Sequence, residues 1–155
     1  MRAKAILCAV VVLTALLAVT AAGAATPAAY RGQVNALCRS YTPRMKQAEA
    51  QITAAQKAND AKAAAYAFGQ LLGLALAEDV RIEAVPVPAA LTSQIAPILR
   101  IMKSIDAHAR ISIAKFGAGD VNGGAAELTK IGQLAAPLNK MYDGAGLRDC
   151  GSNQS

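Results

Sequence analysis

Three cysteines and one histidine bound the chemistry open to this chain. Zinc sites of the His-Glu-x-x-His type and the paired Glu-x-x-His sets of di-iron bundles each need a second histidine, so His108, standing alone, excludes both. No Cys-x-x-Cys-His haem attachment and no Gly-x-Ser-x-Gly nucleophile turn is present. Asp106 lies two positions from His108, a spacing that sends the two side chains to different sides of a helix. His108 borders an apolar stripe next to Ile105 and reads as a solvated or partly packed residue. The glycine-rich stretch 117–124 lacks the Gly-Lys-Ser/Thr ending of a phosphate loop. As a calcium loop it offers Asp120 and Asn122, but Ala125 stands where glycine belongs and Ile131 replaces the closing glutamate. A flexible joint between helices is what remains. No catalytic residue, metal ligand or cofactor is expected.

The cysteines point to structure instead. Met1, Arg2 and Lys4 put positive charge at the start, residues 5–22 are apolar apart from Thr14 and Thr20, and small residues follow at 23–25. This is the pattern of an export signal, with Ala22-Gly23-Ala24 supplying the small side chains that cleavage needs. Residues 1–24 are therefore expected to be removed, leaving 25–155 as one domain. A retained anchor is the alternative, since about 18 apolar residues reach the lower limit for crossing a bilayer. The alanine-rich exit and the lack of a basic flank argue against it. Lipidation is rejected because Cys8 lies near the start of the apolar run, not after it. Export places Cys38 and Cys150 in the periplasm or outside the cell, where a disulfide is the expected fate of a thiol pair. Asn153-Gln154-Ser155 matches a glycosylation acceptor, read here as chance in what looks like a bacterial export product.

Losing Arg2 and Lys4 with the signal lowers the net charge of +6 by two. The bases are scattered and tryptophan is absent, which argues against specific nucleic-acid binding. Membrane association is expected only through a retained signal segment. The mature length suits one domain with a single core, burying somewhat over about 60% of the unfolded surface. Alanine dominates and aromatics make up only 4% of the residues, so helix is the economical expectation.

Four stripes carry that expectation. Tyr30, Val34, Leu37, Tyr41, Met45, Ala48, Ile52 and Ala55 share one helical face, with Pro43 predicting a kink or a restart capped by Thr42. Asp60 can cap a second helix over 61 to about 84, with Ala64, Phe68, Leu71, Leu72, Ala75, Leu76 and Ile82 inward. Gly69 and Gly73 weaken that helix and are expected to admit a close neighbour. After Val85-Pro86-Val87-Pro88, a third stripe runs Leu91, Ile95, Ile98, Met102, Ile105, Ala109, Ser112 and Phe116. Ser93 as cap would place Pro97 in the first turn; otherwise Pro97 kinks a longer helix. Asp120 or Asn122 caps a fourth helix facing Val121, Ala125, Leu128, Ile131, Ala135, Leu138 and Tyr142, with Pro137 inside it.

Short connectors between four amphipathic helices predict an all-α, antiparallel up-down-up-down four-helix bundle with kinked helices. In it the start of helix one meets the end of helix four, where Cys38 and Cys150 fall. The same end gathers charges and tyrosines, making Tyr30, Arg39, Tyr41, Glu78, Asp79 and Tyr142 the candidate ligand or partner site. The functional expectation is an exported, non-enzymatic interaction or scaffold module of the envelope or extracellular space. The alternative is a carrier that takes an apolar or aromatic small molecule into a core left incompletely filled by many alanines and three interior prolines.

Overall fold

The computed structural model describes residues 26–151; the expected export segment, its expected cleavage point before Ala25 and the glycosylation match lie outside them. Within them are four helices, α1 (Pro27–Lys57), α2 (Ala61–Glu83), α3 (Thr92–Gly117) and α4 (Val121–Gly144). Two 3-10 turns, Ala89–Leu91 and Arg148–Cys150, complete the order, and no strand occurs among the described residues.

Local chemistry sets the boundaries. Thr26 accepts a hydrogen bond from the Ala29 amide, and Pro27 fills the first helical position, where its missing N–H costs nothing. Two joints are built alike. Asn59 at the first and Gly119 at the second take positive φ, 53° and 79°, as a left-handed helix stop requires. The following aspartate closes each stop by donating its amide to the carbonyl five residues back, Asp60 to Ala55 and Asp120 to Lys115, both at 2.9 Å. Its carboxylate then caps the next helix, Asp60 on Ala63 N at 2.9 Å and Asp120 on Gly123 N at 2.8 Å. Gly146 repeats the stop after α4, with φ 78° and Leu147 N bonded to Tyr142 O at 2.8 Å.

Three local expectations are corrected. Helix α1 runs unbroken through Pro43, and Thr42 does not cap a restart; its hydroxyl donates back to Cys38 O at 3.0 Å. Helix α3 begins at Thr92, so Ser93 lies inside it and Pro97 falls in the second turn. The first half of α4 is rotated from the expected register, exposing Val121 and Ala125 and burying Gly124 and Glu127. Phe116 packs against the face so turned: its ring lies so close over Gly124 that a Cβ there would meet Cε1 at 2.4 Å. Buried Ser112 ties the same contact by donating to Gly124 O at 3.0 Å.

Helix α1 packs on α2, α2 on α3 and α3 on α4, while α1 also holds the turn Arg148–Cys150. The main core lies toward that turn and includes Tyr30, Val34, Ile95, Ile98, Met102 and Leu147, all at most 1% exposed. Burying each of the large apolar side chains contributes about 1.5–3 kcal/mol. No described helix is long and apolar enough to cross a membrane.

Candidate functional site

At the disulfide end, Cys38 and Cys150 are bonded, with Cα atoms 5.2 Å apart. Side chains of α1 hold the chain after α4. Arg31 Nε donates to Ala145 O at 2.7 Å, and Asn35 grips both sides of the turn, donating to Gly146 O at 3.0 Å and accepting from Asp149 N at 3.1 Å. Arg39 pairs with Asp149 across the same seam. Tyr41 donates its hydroxyl to Ala77 O at 3.3 Å, tying α1 to α2, and Arg44 lies 6.0 Å from its ring centroid. Arg39 and Tyr41 are thereby engaged in holding the fold.

The remaining candidates meet deeper. Tyr30, Glu78 and Tyr142 are buried, and the Tyr30 hydroxyl has no hydrogen-bond partner among the described residues. Asp79 on α2 shares a hydrogen bond with Asp106 on α3. Burial first, then that bond and the charges of Asp106, Glu78 and Glu83, push its carboxyl up to about 8. Burial also holds the Tyr30 phenol above its usual range. Tyr142 is raised further, by burial and then by Asp79, Glu78, Tyr30 and Asp106. The cluster thus holds one carboxyl, Asp79, that burial and its acidic neighbours push toward the protonated form, close to two buried phenols. No set of three or more His, Cys, Asp or Glu side chains among the described residues is placed to hold a metal.

A second polar cluster was missed in sequence. Glu127, nearly buried on α4, receives His108 Nδ1 at 2.6 Å and Lys130 Nζ at 2.9 Å. Hydrogen bonds from Lys130 first and His108 second hold its carboxyl below the usual range. One side of His108 is therefore fixed against α4, and the arrangement serves to join α3 to α4.

An open space lies apart from both clusters, where the start of α2 meets the end of α3 and the start of α4. A groove of about 700 Å³ runs there, lined mainly by Ala61, Ala65, Tyr66, Gly69, Phe116 and Val121. Phe68 stacks on Phe116 at 6.1 Å between centroids, while Tyr66 is 69% exposed. Gly69 departs from expectation: a Cβ added there, or at Gly73, would find no atom within 4 Å, so neither glycine admits a close neighbour. No family model matches the chain, and no curated protein or solved structure matches it.

Proposed function

We propose that this chain is an exported, non-enzymatic binding module that carries a small apolar or aromatic molecule in the groove beside Gly69. Gly69 is the observation that supports this most. Glycine inside a helix costs about 1 kcal/mol relative to alanine, and here no packed neighbour offsets that cost. What its missing side chain provides is room in an apolar groove whose volume suits a drug-sized ligand. Exposed Tyr66 at the rim gives a ring face and a hydroxyl to the same space. Singly exposed apolar residues such as Val80 and Ile111 are ordinary on a folded surface and give a scaffold role no comparable support.

The three-residue joints at 58–60 and 118–120 favour antiparallel neighbours, and with them an up-down-up-down bundle. Pro43, Pro97 and Pro137 each remove one helical hydrogen bond and are the natural places for kinks. Export to the periplasm or beyond rests on the first 25 residues and on the disulfide's need for an oxidising compartment. Intact mass of the exported chain is expected to show residues 1–24 missing, together with the two-hydrogen deficit of the disulfide. Retention of the full-length mass would refute cleavage.

Gly69→Leu tests the groove. A Cβ at position 69 meets no atom within 4 Å and leucine suits a helix better than glycine, so the melting temperature should hold or rise by a few degrees. Titration with the neutral fluorophore N-phenyl-1-naphthylamine should show one site in the parent chain, weakened about tenfold or more in the variant. Equal affinity in both proteins, or no binding to the parent, would refute the groove as the site.

A further inference from the structure

We infer that the groove's occupant is an amphipathic anion, with its apolar or aromatic body against Tyr66, Phe116 and Gly69 and its carboxylate or sulfonate at Lys62. The inference rests on the groove reading above and adds the charge of the ligand. Lys62 lines the groove, and no aspartate or glutamate lines it. The other basic side chain near that rim, Lys115, is engaged with Asp120 at 3.5 Å, whereas Lys62 has no acidic partner among the described residues.

The position of Lys62 adds to the case. It is the second residue of α2, where the helix dipole disfavours a cation and favours an acid, yet the first turn contains no acid. Like Gly69, it is a residue the helix itself would not choose. Asp60 and Asp120, the caps of α2 and α4 beside the groove, are each turned onto a backbone amide of their own helix and so offset those helix starts, leaving Lys62 as the charge in the lining. The groove therefore joins an apolar floor to one cation, a combination that suits a ligand with a greasy body and a negative head.

Two probes with the same ring system separate the charge from the body: anionic 1-anilinonaphthalene-8-sulfonate and neutral N-phenyl-1-naphthylamine. At low salt the parent chain should bind the anion about threefold to fivefold more tightly than the neutral probe. Lys62→Gln should abolish that preference and leave neutral-probe affinity unchanged, Lys62→Arg should retain it, and 0.5 M salt should weaken the anion alone. If Gly69→Leu blocks the neutral probe while Lys62→Gln leaves the anion unaffected, the charge assignment fails and the groove stands. If neither probe responds to Gly69→Leu, the groove reading fails and this inference with it.

Discussion

Replacing Cys150 by serine is expected to lower the melting temperature by roughly 15 °C while leaving the far-ultraviolet helical spectrum nearly unchanged. The bond closes a loop whose ends are 112 residues apart. Freeing that loop restores entropy to the unfolded chain, about 4–5 kcal/mol on the chain-entropy model, and for a domain of this size each kcal/mol moves the midpoint by about 3–4 °C. The spectrum should persist because the helices and their caps do not depend on the bond. Asn35, Arg31 and Arg39 still hold the final turn to α1. Reductant added to the parent protein should reproduce the shift and have no effect on the variant. An unchanged melting temperature in both experiments would mean that the native stability does not rest on the cross-link.

Stability is expected to increase as the pH falls from 8 to 5, the reverse of the usual carboxylate behaviour, and Asp79 is the cause. In the folded protein its carboxyl keeps its proton up to about 8, because burial, Asp106, Glu78 and Glu83 all oppose the charge. In the unfolded chain it loses that proton near 4. Between those values the folded state binds more protons than the unfolded state, so raising the pH drains stability by at most about 1.4 kcal/mol per unit. Glu127 has the opposite sign: its lowered value gives stability that is present above the ordinary carboxylate range and lost as the pH falls through its folded value. Its effect therefore lies below the Asp79 window. Asp79→Asn should melt higher than the parent at pH 7.5 and lose most of the slope between pH 5 and 8. Thermal melts across that range check the claim; a variant that is less stable throughout, with the parent's slope, would contradict it.

The parts of this fold that were legible in sequence are those that local chemistry determines. Asp60 and Asp120 announce helix starts because a short carboxylate after a chain stop has free amides to accept from. Cys38 and Cys150 could be paired because the expected export and the expected helix order pointed independently to the bond that joins them. What could not be read required the rotation of one helix against another. Glu127 falls outside the stripe that the sequence marks on α4, yet the start of that helix faces inward through Gly124 against Phe116 and places Glu127 beside His108. Asp106 was judged only against His108 in its own helix, whereas its partner is Asp79 on α2. Of the six candidates at the disulfide end, Tyr30, Glu78, Asp79 and Tyr142 converge in the interior, and Arg39 and Tyr41 hold neighbouring elements. Gly69 illustrates the deeper difficulty. In sequence a helical glycine signals close packing, and only coordinates reveal the empty space beside it.

Native mass spectrometry of the chain purified from its natural source tests the binding claim most directly. A small-molecule adduct should accompany the parent protein, disappear on denaturation and be absent from Gly69→Leu. Parent protein without an adduct, or the same adduct on both proteins, would contradict a ligand carried in this groove.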